Sequence, residues 1–158
     1  MERAIKLGII GNGRIADKFA AEARHVSGVV IACVYGRNER TLSDFALRHG
    51  IADHSTSFDD FLCRVDCVYI ASPHLTHYEY AKKALEARKH VLCEKPMCLS
   101  AAEVDELARL SRKQGCVLLE AIKTAFCPGF LGLVPLAKSG IIGDIKHVSA
   151  SFTKLVEP

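Results

Sequence analysis

The chain has 158 residues, 21 of them Lys or Arg and 18 Asp or Glu, for a net charge of +3, with 49% hydrophobic and 25% charged residues. That length suits one ordinary domain and the start of a second, and the balance is that of a globular protein, not a disordered one. The basic residues are scattered and not interleaved with aromatics, and no apolar run reaches the roughly 18–20 residues that span a bilayer, so neither nucleic acid nor membrane is expected as a partner.

In chain order, "MERAIKLGII" lacks the small-residue cleavage site of a signal peptide and runs straight into an apolar strand at 5–10. "GNGRIA" follows, then a helix carrying Ile15, Phe19 and Ala23. "GVVIACVY" (28–35) reads as a second strand, and Leu42, Phe45, Ala46 and His49 share one face of a helix that Gly50 ends. "DCVYIA" (66–71), "HVLCE" (90–94) and "VLLEA" (117–121) are further apolar runs, as strands covered on both faces should be. Thr76 with Glu79, and Ser100 with Glu103, have the spacing of capping boxes and predict helices near 77–88 and 101–114. Such alternation predicts an α/β fold with a doubly wound parallel sheet, a Rossmann domain over residues 1–122.

The remainder, 123–158, reads as a connecting helix ended by Gly140 and then a strand. In that strand Val148, Ala150 and Phe152 alternate with Ser149, Ser151 and Thr153. It is expected to open a truncated α+β second domain for substrate binding and dimerisation, the rest of which is absent.

Seven cysteines, at 33, 63, 67, 93, 98, 116 and 127, are an odd number, and Cys33, Cys67, Cys93 and Cys116 lie in or beside apolar segments. Free thiols in a cytoplasmic protein are expected. Cys63 and Cys67 with His74 and His77 offer no closely spaced cysteine pair, so no metal site is expected.

The most specific local signal is Gly11-Asn12-Gly13-Arg14-Ile15-Ala16, a G-x-G-x-x-G/A pattern between a strand and a helix. Gly11 makes the tight turn, Gly13 admits a pyrophosphate close to the backbone, and Ala16 keeps the helix near the sheet. The helix N-terminus offers free N–H groups to the phosphates. A dinucleotide is therefore expected. At the end of the second strand, "VYGRNER" has no acid to hold ribose hydroxyls. Arg37 is suited to a 2′-phosphate, which favours NADP(H) over NAD(H); solvated charges at a helix start are the other account of Arg37 and Arg40.

Ligands of open α/β sheets lie beyond the carboxyl ends of the strands. Ala71-Ser72-Pro73-His74, Glu94-Lys95-Pro96 and Glu120 all fall there. A lysine at that place can hydrogen-bond a substrate hydroxyl and stabilise a developing alkoxide. On the residues alone, Glu94 and Lys95 fit a strand-end ion pair as well, and His77 fits a packed or capping residue.

Together, "GIIGNGRIADKFA", "ASPHLTHYEYAKKALEARKHVLCEKPM" and "GDIKHVSASF" resemble the glucose–fructose oxidoreductase/inositol dehydrogenase (Gfo/Idh/MocA) family across essentially the whole chain. "VLCEKPM", "LLEAIKTAFCP" and "GRNER" are most similar to its NADP-dependent dimeric dihydrodiol dehydrogenase and xylose dehydrogenase branch. The resemblance implies a Rossmann domain followed by a second domain that completes the substrate site and usually the dimer interface. It implies that Lys95 is the catalytic lysine, often before a cis proline bond, and that Glu94 contacts the cofactor or orients the site. It also implies that Ser72, Pro73 and His77 line the cofactor trough, and that the family's second-domain acid/base residue lies beyond Pro158. His74 stands in place of the wider family's asparagine, and Lys123 and Ala125 in place of the branch's tryptophan and arginine.

The expectation is the cofactor-binding portion of an NADP(H)-dependent oxidoreductase. It would transfer hydride between nicotinamide and a secondary alcohol or carbonyl of a sugar, polyol or diol, be homo-oligomeric at full length, and turn over poorly as these 158 residues alone. The alternatives are a non-catalytic dinucleotide sensor of the same fold and an NAD(H)-preferring dehydrogenase. The expected cofactor contacts are Gly11, Asn12, Gly13, Arg14, Ile15, Arg37, Ala71, Ser72, Pro73, His77, Glu94, Lys95 and Pro96.

Overall fold

The apolar run Ile5–Ile10 forms strand β1, which pairs in parallel with Val29–Tyr35 (β2). Asp53–Ser55 (β3), Cys67–Ile70 (β4), His90–Cys93 (β5) and Leu118–Glu120 (β6) complete a six-stranded sheet in the order β3-β2-β1-β4-β5-β6. All pairings are parallel. The strand order reverses direction between β1 and β4, and their carboxyl ends form the crevice that such sheets offer to ligands. The computed structural model describes residues 3–151 and 153.

Helices α1 (Arg14–Ala23), α2 (Glu39–His49), α3 (Phe58–Cys63), α4 (His77–Glu86) and α5 (Ala101–Gln114) fill the connections. Strand side chains alternate between two cores, as a period of two requires. Leu7, Ile9, Val34 and Tyr69 pack with Ala16, Ala20, Leu42 and Phe45 on one face. Ile10, Val68, Ile70 and Val91 pack with Phe61, Ala81, Leu85 and Leu107 on the other. Phe45, Phe61, Leu42, Leu85 and Leu107 are fully buried, each worth about 1.5–3 kcal/mol relative to exposure.

Ser100 caps α5 as its spacing predicts: its hydroxyl accepts from Glu103 N–H, and the Glu103 carboxylate accepts from Ser100 N–H. Thr76 does not form the capping box expected with Glu79. A 3₁₀ turn, His74–Thr76, already winds the chain into α4, and the Thr76 hydroxyl donates to the Pro73 carbonyl at 2.7 Å. Strand β3 and helix α3 were not expected. The polar triplet Asp53–Ser55 is a strand because it pairs with Cys33–Tyr35, not because of apolar patterning. Cover on both faces is incomplete too: Val117 and Leu119 are about half exposed and, with Phe19, Val26, Cys67 and Leu92, border an apolar groove of about 410 Å³.

The chain divides into two units, Met1–Ala121, which holds the sheet, and Ile122–Pro158. The second has a 3₁₀ turn, Lys123–Phe126, and helix α6, Pro128–Lys138, with Pro128 at its start. Ser139 caps α6, one residue before the expected stop at Gly140. The expected strand at 148–153 is not formed by the described residues through Ser151; a strand needs a hydrogen-bonded neighbour, and none pairs with them among the described residues. Phe152 lies outside the described residues. Among the described residues no helix is long and apolar enough to cross a membrane, and no group of three or more acidic, His or Cys side chains is gathered as a metal site. All seven cysteines are free thiols.

Candidate active site

At the end of β1 the chain turns sharply. Gly11 N–H bonds the Tyr35 carbonyl, and Gly11 has φ +101°, a region that disfavours any side chain. A Cβ there would lie 2.7 Å from the Ala71 carbonyl oxygen, so β1 and β4 close together only over a glycine. At Gly13 an added Cβ would meet nothing within 4 Å; its lack of a side chain opens space instead of relieving a clash. Gly13 is also the N-cap of α1 and supplies no side-chain acceptor to the first-turn N–H groups. Ala16 is completely buried. A tight turn, an open approach and an uncapped helix N-terminus fit a pyrophosphate.

These residues border a cavity of about 640 Å³ whose lining includes Gly11, Asn12, Gly13, Arg14, Ile15, Arg37, Ala71, Ser72 and Pro73. Nine of the expected contacts thus share one trough. Tyr35, Thr76 and Tyr80 line it as well and were not anticipated. Tyr35 belongs to an aromatic cluster with Phe58, Phe61 and Tyr80. Burial, with Tyr80 beside it, pushes the Tyr35 hydroxyl up to about 12. The signal for Tyr35 was in the sequence: it is the last residue of β2, in register with Ile10 at the end of β1.

Two walls of the trough are tied together. The Asn12 side-chain amide donates to Thr41 Oγ1 at 2.9 Å, and the Thr41 hydroxyl donates to the Asn38 carbonyl at 3.1 Å. Asn38 Oδ1 in turn accepts from Thr41 N–H and caps α2. Arg37 stands beside this bridge, exposed and free of ion pairs among the described residues.

His77, Glu94, Lys95 and Pro96 are not in the lining of this cavity. Glu94 to Met97 form a neighbouring segment, pinned from several elements. Glu94 N–H bonds the Ile70 carbonyl at 2.9 Å, next to the end of β4. The Tyr69 hydroxyl donates to Glu94 Oε1 at 2.8 Å, and Lys95 N–H donates to Oε2 at 3.3 Å. Burial first, and the bond to Glu94 second, raise the Tyr69 pKa far above the ordinary phenol range. Met97 N–H donates to Glu120 Oε1 at 2.8 Å. The Lys95–Pro96 bond is cis.

Glu94 and Lys95 therefore do not form the strand-end ion pair that their types allow. The carboxylate is taken by Tyr69 and by backbone, and the exposed Lys95 ammonium has no ion-pair partner among the described residues. Tyr69 was not anticipated, and Glu120, expected at the strand-end crevice, acts there as a mount for Met97 N–H. His77 is fully buried, with its ring nitrogens 2.8 Å from the Pro96 and Ser72 carbonyls.

Comparison with known proteins agrees with this geometry. Residues 5–122 match the Gfo/Idh/MocA family model, described as an oxidoreductase family with an NAD-binding Rossmann fold. Scyllo-inositol 2-dehydrogenase (NADP(+)) IolU of Bacillus subtilis is 35% identical over 94% of this chain and 45% of its own length. Trans-1,2-dihydrobenzene-1,2-diol dehydrogenase of Bos taurus is 33% identical over 96% of this chain and 46% of its own. The crystal structure of scyllo-inositol dehydrogenase from Lactobacillus casei with NAD(H) and scyllo-inositol superposes with a TM-score of 0.82, at 25% identity, over 90% of this chain and 43% of that one. The chain spans less than half the length of each. With the fold, the glycine turn and the Glu-Lys-Pro segment in place, this chain belongs to the Gfo/Idh/MocA oxidoreductase family, with its NAD-binding Rossmann fold.

Proposed function

We propose that the chain is the cofactor-binding part of an NADP(H)-dependent oxidoreductase acting on a secondary alcohol or carbonyl of a sugar, polyol or diol. One observation carries this reading. A phosphate-fitting turn follows β1, and a firmly mounted lysine with no ion-pair partner among the described residues follows β5, both at the carboxyl edge of one parallel sheet.

Gly11, Gly13 and the first turn of α1 would hold the pyrophosphate, and Arg37 the 2′-phosphate. Ala71, Ser72 and Pro73 would border the path towards the nicotinamide, with Glu94 orienting the approach. When bound, the nicotinamide supplies the hydride donor or acceptor. Lys95 Nζ would donate a hydrogen bond to the substrate oxygen and so stabilise negative charge developing there. Turnover, substrate choice and a homo-oligomeric state are proposed for a protein of the relatives' full length, and the free thiols support a cytoplasmic setting.

A non-catalytic dinucleotide sensor has the same phosphate turn but no use for a lysine mounted in this way. NADP(H) preference rests on Arg37 and on the absence of an acid at the end of β2. The relatives' printed names include both NADP(+) and NAD(H).

The test is a parallel titration of the chain with NADPH and NADH, followed by nicotinamide fluorescence. NADPH binding at least tenfold tighter, lost in Arg37→Ala, is the expected result. Equal affinities overturn the NADP(H) assignment, and no binding of either overturns the cofactor site.

A further inference from the structure

We infer that His77 is a positioning residue that locks the Lys95–Pro96 turn to the Ser72 loop and so shapes the nicotinamide end of the site, an inference that rests on the function proposed above. His77 opens α4 and is completely buried. A buried imidazole brings two polar nitrogens out of water, and each must meet a partner or destabilise the fold. Here the two partners lie on different loops: Nδ1 is 2.8 Å from the Pro96 carbonyl, and Nε2 is 2.8 Å from the Ser72 carbonyl.

Those loops leave adjacent strands, β4 and β5, paired at Ile70 and Cys93. One carries Ser72 in the trough lining, and the other carries Lys95 immediately before Pro96. Pro96 has no N–H, so its carbonyl is the one backbone hydrogen-bonding group by which that residue can be held. His77 takes it on one side, while Glu120 takes Met97 N–H on the next residue.

A histidine serving packing alone needs partners for its nitrogens but no particular loops. This one spans two loops, each with a residue of the proposed site. Both partners are acceptors, so a ring with a single N–H bonds one loop and only abuts the other, whereas a ring with two N–H groups bonds both. The nearest ring, that of His74, stands edge-on with its centroid 5.4 Å away. His77 lies outside the phosphate-turn side of the trough, so its effect is confined to one end of the ligand.

The experiment compares the unaltered chain with His77→Phe and His77→Gln. Each is titrated with NADPH and NADH and with their nicotinamide-free counterparts, 2′-phospho-ADP-ribose and ADP-ribose; melting curves run alongside. His77→Phe should weaken the better-bound nicotinamide cofactor by roughly three- to tenfold, the scale of one lost hydrogen bond, and alter its bound emission. Its nicotinamide-free counterpart should bind as before. His77→Gln, whose single amide nitrogen can still donate, should fall between, and it carries the test alone if His77→Phe does not fold. Equal weakening of both kinds of ligand, or no weakening of either, overturns the positioning role. So does an unaltered chain that binds its cofactor no differently from the nicotinamide-free counterpart, which leaves the phosphate site intact. An unaltered chain that binds none of the four overturns the proposed function itself, and this role with it.

Discussion

Tyr69 donates its hydroxyl to Glu94 across the ends of two neighbouring strands, at 2.8 Å. The same ring lies flat on Phe19 of α1, with centroids 3.7 Å apart and planes 16° from parallel. The helix that starts at the phosphate turn is thereby packed against the residue that aims the Glu94 carboxylate. Tyr69→Phe keeps the stack and removes only the donor. It should destabilise the chain by about 1–2 kcal/mol, because a buried bond to a charged group is lost. An unchanged urea midpoint would show that the bond contributes nothing to folding.

Glycines 11 and 13 should respond differently to alanine. Gly11→Ala places a Cβ 2.7 Å from a backbone oxygen at a positive φ and should destabilise the empty protein by about 2 kcal/mol or more. Gly13→Ala meets nothing in the folded chain and should leave the urea midpoint within about 1 kcal/mol of the original. The same substitution should nonetheless weaken NADPH binding by roughly tenfold or more, since its Cβ would stand on the proposed approach of the pyrophosphate. Equal behaviour of the two variants in both assays would contradict these geometries.

Stability should decline at alkaline pH. Burial raises the Cys93 thiol from 9.0 to about 12, and Cys33 and Cys67 to about 11. Unfolded thiols lose protons near their ordinary value, whereas the folded ones hold them. The contribution is therefore complete below about pH 8.5–9 and is lost as pH rises through the folded values. Asp66 behaves oppositely: Lys6 N–H, then Arg3, hold its carboxyl below the ordinary range, so its contribution is present above that range and lost as pH falls through the folded value. Melting temperatures from pH 7 to 10.5 test the alkaline arm, and Cys93→Ala should flatten it. An equally steep fall in that variant would reject burial of Cys93 as a cause.

Ser100→Ala removes one half of a complete capping box and should lower stability by about 1 kcal/mol. Thr76→Ala should not act through α4 capping, since no such bond exists at Thr76. Hydrogen exchange in the first turn of each helix separates the two cases: faster exchange near Glu103, and no capping-type change near Glu79.

The sequence shows where its chemistry is local. The glycine turn, the strand-length apolar runs and the Ser100–Glu103 spacing each involve residues a few positions apart, and each forms as read. Strand β3 was hidden because Asp53–Ser55 becomes a strand only by lying beside Cys33–Tyr35. Thr76 and Glu79 have the right spacing, but the turn at His74–Thr76 gives the Thr76 hydroxyl another acceptor. In the site, the lining residues of the phosphate turn and of 71–73 were legible as strand-end loops. The mounts were not: Tyr69 to Glu94, Glu120 to Met97 and His77 to Pro96 join residues 19 to 25 positions apart, and no local pattern marks such pairs.

The Asn12–Thr41–Asn38 bridge couples the glycine turn to the segment that carries Arg37. Retuning this protein between cofactors by grafting a new segment over residues 37–41 would do more than exchange Arg37 for an acid. Discarding the Thr41 hydroxyl would also release Asn12 and loosen the turn proposed to hold either dinucleotide. A redesign that keeps Thr41 and Asn38 while changing only Arg37 and Arg40 separates the two properties, letting selectivity move while the common anchor stays put.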